Sequence, residues 1–247
     1  MLGQQWFVYR RSMSAYDSDI APVAALLADR TRAAMLTAML GGLPLAAGEL
    51  AKVAGVTAQT ASAHLARLLD GGLVTVIKQG RHRYYELTSA DVAQVIEALS
   101  QISPPIEPRS LRQSRQAEAL RQARTCYDHL AGRAGVELFA GLCDNMLFDP
   151  DACDLTAEGE ERLSRFGLET AGLRRARRRF AGPCLDWTER RPHLSGALGA
   201  AITTRLIELR WLERGRVPRA LVVTAEGGRG LRETFGCVLD EPVARAS

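Results

Sequence analysis

A chain of 247 residues that is 47% hydrophobic and 24% charged has a globular composition and is long enough for two modest domains. No apolar run reaches bilayer-spanning length, and residues 1–19 lack the apolar core of an export signal, so a cytoplasmic protein without a membrane partner is expected. The net charge of +4 is compatible with nucleic acid but too small to argue for it alone. Five cysteines, an odd number in a chain without an export signal, predict reduced thiols rather than a disulfide framework.

Residues 1–19 read as a flexible N-terminal extension, with Met13 as an alternative start. Residues 20–40 predict one long helix: Pro22 fits its first turn, and Val23, Leu26, Leu27, Ala34, Leu36 and Leu40 give it a broad apolar face. Residues 47–54 predict a second helix and Gly55-Val56 a turn, after which Thr57 is an N-cap for a third helix through Leu69. That is a helix-turn-helix. On its second helix Ala61, Leu65, Leu68 and Leu69 share one face, which leaves Ala58, Gln59, Ser62, Ala63 and Ala66 on the other, short enough to approach base edges.

Asp70-Gly71-Gly72 stops this helix, and residues 73–77 carry strand bias. Lys78-Gln79-Gly80-Arg81 reads as a hairpin tip, residues 83–87 as the returning strand, and Thr88-Ser89 as the cap of a further helix over residues 89–102. Lys78, Arg81, His82 and Arg83 gather positive charge at the tip, suited to phosphates or a minor groove. The candidate DNA contacts are therefore Thr57, Gln59, Thr60, Ser62, Ala63, His64 and Arg67 on the helix, with Lys78, Arg81, His82, Arg83 and Tyr84 on the hairpin. Gln59 has the reach for a bidentate contact to adenine, and Thr60 and Ser62 suit bases or phosphates. His64 and Arg67 suit the DNA backbone, although His64 reads equally well as a half-buried support for the turn.

Taken together, these segments resemble the ArsR/SmtB family of bacterial winged-helix repressors. The residues carrying the resemblance are Leu26-Leu27-Ala28-Asp29-Arg30-Thr31-Arg32, Gly48-Glu49-Leu50-Ala51, Thr57-Ala58-Gln59-Thr60-Ala61-Ser62-Ala63-His64-Leu65, and Gly71-Gly72-Leu73-Val74 running into Gln79-Gly80-Arg81-His82-Arg83-Tyr84-Tyr85. The resemblance spans residues 20–102. It implies a homodimer on a palindromic double-stranded operator, released by an effector, with the helices at 20–40 and 89–102 forming the dimer interface. The family's metal positions do not carry over: Glu49-Leu50-Ala51-Lys52 holds no thiol, and residues 89–101 offer Asp91 and Glu97 but no histidine. Any sensing then falls to the C-terminal half.

Residues 103–108 form a Pro-rich linker, and residues 109–247 read as a duplicated effector or dimerisation domain. Cys126-Tyr127-Asp128-His129-Leu130-Ala131-Gly132 matches Cys184-Leu185-Asp186, six extra residues, and His193-Leu194-Ser195-Gly196. Further on, Leu155-Thr156-Ala157-Glu158-Gly159 matches Val223-Thr224-Ala225-Glu226-Gly227, and Phe166-Gly167 matches Phe235-Gly236. Each copy reads as helix, helix, short strand, helix, with helices over 130–146, 158–166, 194–212 and 226–235. This order also fits two degenerate winged-helix units. The fold class is mainly α with short β-hairpins.

Cys126, Asp128, His129, Cys184, Asp186 and His193 are the candidate effector or metal residues. If the two copies meet about a pseudo-two-fold axis, two thiolates and two imidazoles form the set that zinc accepts tetrahedrally, and the two aspartates orient the histidines. An organic ligand held between the copies, and a structural role with no cofactor, stay open beside zinc. Arg174, Arg175, Arg177, Arg178 and Arg179 read as a solvated helix face, or alternatively as an anion or DNA contact. Trp187 and Trp211 read as core or as pocket lining. The functional expectation is a DNA-binding transcriptional regulator, a repressor and not an enzyme. Its alternatives are an effector-free winged-helix protein and an enzyme with Cys126 or Cys184 as nucleophile and a neighbouring histidine as base. The chain carries no glycine-rich phosphate loop or nucleophile elbow that would favour the enzyme.

Overall fold

The computed structural model describes residues 18–80, 82–104 and 107–239. Two helices, α1 (Ala21–Leu27) and α2 (Arg30–Met39), stand where the periodicity predicts one. Asp29 makes the break: its backbone is extended and its carboxylate accepts from the backbone N–H of Arg32, a local bond that competes with helix continuation. Arg32 then folds α1 back on α2 by donating to the carbonyls of Leu26 (2.7 Å) and Ala25 (2.8 Å).

The expected helix pair follows as α3 (Ala47–Ala54) and α4 (Ala58–Asp70). Glu49 caps α3 by accepting from Ala46 N, and Thr57 Oγ1 caps α4 by accepting from Thr60 N. Leu50, Ala61, Leu65 and Leu68 are buried in one cluster with Met35, Leu36 and Met39 of α2. A short β1 (Leu45–Ala46) joins β2 (Val74–Gln79) and β3 (His82–Leu87) in an antiparallel sheet of order β1-β3-β2. The β2–β3 ladder runs out to Gln79 opposite His82, so Lys78 and Gln79 are strand residues rather than hairpin tip. Gly80, at φ 58°, supplies the left-handed backbone that a two-residue hairpin requires, and Arg81 lies outside the described residues. The helix α5 (Ala90–Ile102), capped by Ser89, places Ala93 and Ile96 against the same core. The N-terminal half is thus a winged helix-turn-helix.

Beyond α5 comes α6 (Leu111–Gln122), which buries none of its residues and is not anticipated by any apolar periodicity. Two segments of like order follow. The first runs β4 (Arg124–Cys126), β5 (His129–Ala131), α7 (Gly132–Asp144), β6 (Phe148–Asp149), β7 (Asp154–Leu155), α8 (Ala157–Arg165). After the short α9 (Thr170–Arg174), the second runs β8 (Gly182–Leu185), β9 (Pro192–Ser195), α10 (Gly196–Glu208), β10 (Leu212–Arg214), β11 (Leu221–Val223), α11 (Ala225–Phe235). The helices expected from residues 130 and 194 begin two residues later. Pairing of Arg124 with Ala131, and of Gly182 with Ser195, holds the preceding residues extended.

Leu138 and Leu142 of α7 meet Ile202 and Leu206 of α10 in a second apolar cluster, with Leu163, Leu231 and Phe235 completing it. Trp211 is half-buried and packs against this cluster, its ring tilted on that of Phe166. The arginine run is not a solvated helix face, because α9 ends at Arg174. Arg174 pairs with Asp154 and Glu160 and lies over the Phe180 ring, while Arg178 pairs with Asp128. No helix among the described residues is long and apolar enough to cross a membrane.

Leu65 is the point where α4 enters its core, at 1% exposure. Its truncation to alanine is expected to cost about 2–5 kcal/mol through lost burial and a residual cavity. Urea denaturation should show a lower midpoint with an unchanged slope.

Candidate functional site

Two surfaces carry chemistry, and the first lies on α4 and the β2–β3 hairpin. Packing of Ala61, Leu65 and Leu68 turns Gln59, Thr60, Ser62, Ala63 and Arg67 to solvent. Thr57 is exposed at the start of the helix with its hydroxyl engaged by the cap, and the Ser62 hydroxyl donates to Ala58 O at 2.9 Å. His64 is half-buried, with Nδ1 3.4 Å from the Asp29 carboxylate, so it braces α4 against the break between α1 and α2. Lys78, His82 and Arg83 are exposed along the hairpin, and Tyr84 is half-buried. A helix face of short polar side chains flanked by cations has the shape and charge to meet a nucleic-acid groove.

The second site is internal. In β4–β5 the tight turn at Tyr127-Asp128 sets Cys126 directly opposite His129, and in β8–β9 the longer connection sets Cys184 opposite His193. The two hairpins pack against each other so that one ligand atom from each of Cys126, His129, Cys184 and His193 lies within 4.8 Å of all the others. The thiols are 4.0 Å apart, and the imidazoles stack at 5.1 Å between centroids. Such closeness needs small residues behind the histidines. A Cβ on Gly135 would meet Leu130 O at 2.4 Å and His193 Cβ at 3.5 Å, and one on Gly199 would meet Leu194 O at 2.4 Å and His129 Cβ at 3.3 Å. Each helix glycine thus makes room chiefly for its own segment's hairpin carbonyl, with the other segment's histidine packed close behind.

Both histidines have an aspartate beside Nδ1. Asp128 lies 3.3 Å from His129 Nδ1 and is itself held by Arg178, while Asp186 lies 3.6 Å from His193 Nδ1. Asp186 is fully buried, and its oxygens accept from Arg124 (2.9 Å), Gly132 N (2.7 Å), Thr188 Oγ1 (2.6 Å) and Thr188 N (2.9 Å). Although burial opposes its charge, Arg124 and these hydrogen bonds hold its carboxyl well below the usual carboxylate range. The Cys126 thiol is pushed up by its contact with Cys184 and by burial. Cys184 is pulled down by Cys126 against burial, with His129 and His193 adding to the pull. The two sulfurs share one weak hydrogen bond, and a cation bound by both would take the place of that proton.

The donor set fits a metal. His129 Nε2 and both ring nitrogens of His193 are buried without a hydrogen-bond partner, an expensive state unless something else takes the lone pairs. Tetrahedral zinc bonds of about 2.0–2.3 Å place ligand atoms about 3.3–3.8 Å apart, so this cluster needs to contract by only about 1 Å. Two sulfurs and two nitrogens, with the aspartates behind the imidazoles, form a closed soft site rather than one with an open catalytic position. Between α7 and α10 the apolar walls of Leu138, Leu194 and Ile202 leave no space that a water could occupy.

The sequence pointed to neither Arg124 nor Thr188, and it offered Arg178 only as one member of the charge run. The only signal for Arg124 was its position two residues before Cys126, on the same face of the strand. Arg178 was concealed in the charge run. Trp187 lies under the Arg124 guanidinium at 4.7 Å, as a wall of the buried ion pair. Cys143, Cys153 and Cys237 lie outside the cluster, and burial pushes the Cys237 thiol up to about 12.

The helix-turn-helix domain family matches residues 27–77. An uncharacterised HTH-type transcriptional regulator, YdfF of Bacillus subtilis (strain 168), is 43% identical over 211 residues, which is 85% of this chain and 93% of that protein. The HTH-type transcriptional regulator CmtR of Mycobacterium tuberculosis (strain H37Rv) is 35% identical over 86 residues, 35% of this chain and 72% of CmtR. Among solved structures, a homodimeric winged helix-turn-helix fragment from Mycobacterium bovis, described as a possible ArsR-family regulator, is 35% identical. It covers 34% of this chain and 75% of that one, with a TM-score of 0.31.

Asp186→Asn leaves the Arg124 guanidinium buried and unpaired, and this is expected to cost about 3–5 kcal/mol. Thermal or urea unfolding of the purified variant checks this, and stability within 1 kcal/mol of the parent, roughly the effect of a surface change, counts against the pair as the lock between the hairpins.

Proposed function

Since this chain belongs to the HTH-type transcriptional regulators, we propose that it is a homodimeric repressor of ArsR type that binds a palindromic operator and releases it when a zinc-class ion is taken up by Cys126, His129, Cys184 and His193. The observation that carries the effector reading is the convergence of four metal donors, two paired thiols and two imidazoles with buried unpartnered nitrogens, from two hairpins 58 residues apart in sequence at their cysteines. The like order of hairpin, helix, hairpin, helix in the two segments supports a duplicated C-terminal module whose pseudo-two-fold relation assembles those donors. The winged half, residues 20–102, is the DNA-binding domain, and residues 109–247 are the effector domain.

Dimerisation rests on exposed apolar side chains. Ile20 (75% exposed) and Val23 at α1, with Val95, Leu99 and Ile102 (82%) on α5, remain uncovered within one chain. A second copy related by a two-fold axis covers such faces and presents two α4 helices one DNA turn apart. Thr57, Gln59, Thr60, Ser62 and Ala63 then face the major groove, His64 and Arg67 serve at the DNA backbone beside it, and Lys78, His82, Arg83 and Tyr84 flank it; Arg81, outside the described residues, is counted with them from the sequence.

An operator selected from random duplexes provides the test. Elemental analysis is expected to give one zinc per chain, lost in Cys126→Ser and Cys184→Ser, and zinc is expected to weaken operator binding of the parent. A parent that binds no zinc, or whose operator affinity ignores bound zinc, overturns the reading. In the zinc-free form, Gln59→Ala is expected to weaken operator binding by about 1–3 kcal/mol while leaving affinity for scrambled duplex intact. Equal losses on both duplexes would remove Gln59 from base contact.

A further inference from the structure

We infer that α5 reads the state of the Cys/His centre, through the buried Glu97–Arg219 pair on one ligand hairpin and Gln101 on the other. The inference rests on the proposal above that the centre takes a metal, and it adds the route by which ligation reaches the DNA-binding half.

Each hairpin is tied to α5 one residue from its cysteine. On the first, the carbonyl of Thr125, next to Cys126, accepts from Arg219 Nε (3.2 Å) and from its terminal nitrogen (3.1 Å), and Thr125 N donates to Arg219 O at 2.9 Å. The same terminal nitrogen of Arg219 donates to Glu97 Oε1 at 2.6 Å. Both side chains are buried, at 8% and 5% exposure. On the second hairpin, the carbonyl of Leu185, next to Cys184, accepts from Gln101 Nε2 at 3.1 Å, and Arg190 donates back to Gln101 O at 3.0 Å. Glu97 and Gln101 are one helical turn apart, on one face of α5. The turn of the first hairpin is also wedged against the N-terminal core. Tyr127 packs on that core, and a Cβ on Gly42 would come within 2.3 Å of its carbonyl.

A buried ion pair is about neutral for stability against an apolar pair of like volume, because desolvation offsets the attraction; what it imposes is direction. The thiols already lie near the spacing of two zinc-bound sulfurs, so closing the four donors around an ion shifts one hairpin against the other mainly as the histidines move in, and with the hairpins move the carbonyls of Thr125 and Leu185 to which Glu97 and Gln101 are linked. The other faces of α5 carry Val95, Leu99 and Ile102, so its displacement alters the spacing of two DNA-reading heads in the dimer. Glu97, Arg219 and Gln101 are positioning residues, with no part in ligating the metal.

The test compares operator affinity with and without zinc in the full chain, alongside zinc affinity without DNA. The parent is expected to lose about 5–150-fold in operator affinity when zinc binds, and by reciprocity to lose the same factor in zinc affinity when DNA binds. The double variant Glu97→Leu with Arg219→Met keeps the packing volume without burying a lone charge. It is expected to bind zinc alone and operator alone like the parent, while its zinc-dependent ratio falls to near one. Parent-like coupling in this variant overturns the inference and leaves the metal reading standing. A parent whose operator binding ignores bound zinc overturns both. If the double variant does not fold, Gln101→Ala decides: removal of the second tie must lower the coupling ratio, and an unchanged ratio overturns the route.

Discussion

The Asp186 carboxylate is the constraint on which the C-terminal half depends. It belongs to the second hairpin, yet it accepts from Arg124 in the first and from Gly132 N at the start of α7, and it also closes its own turn through Thr188. A charge taken fully out of water is tolerable only with such a complete set of donors. Meeting that requirement forces the two hairpins face to face, and once they are, cysteine and histidine from each share one small volume. The metal-fitting geometry is therefore a consequence of how a buried carboxylate is satisfied, with each helix packed on the other segment's hairpin, α7 on β9 and α10 on β5.

The N-terminal half obeys a simpler rule. Burial of one face of α4 against α2 and α3 leaves the opposite face with Gln59, Thr60, Ser62 and Ala63, none of which has the bulk to obstruct close approach to a duplex. Local devices brace that helix: Thr57 at its start, and the contact of His64 with Asp29, which is also the residue that splits α1 from α2. The helix α5 belongs to both halves. Ala93 and Ile96 complete the first core while Glu97 and Gln101 hold the ligand hairpins.

What could be read from the sequence was whatever is encoded locally. The α3–α4 pair, the Thr57 and Ser89 caps and the hairpin strands follow from apolar period and turn chemistry, and the structure has them with boundary shifts of one or two residues. The repeated Cys-x-Asp and His-Leu pattern was likewise visible as text, and it marked the four donors and both aspartates. Where local rules competed, reading failed. Asp29 scored as one more helix residue although its carboxylate ends the helix, and Leu130 and Leu194 scored as helical although cross-strand pairing holds them extended.

Only the tertiary structure decided which groups satisfy one another across long separations. Arg124 with Asp186 and Arg178 with Asp128, like Glu97 with Arg219, join residues 50 to 122 positions apart, and no period or cap rule specifies such pairs. A polar side chain in a sequence declares what it can donate or accept, and burial then makes a partner obligatory. Which partner it receives depends on how the helices and hairpins pack, because the partner must lie within hydrogen-bond reach after every apolar face has been covered.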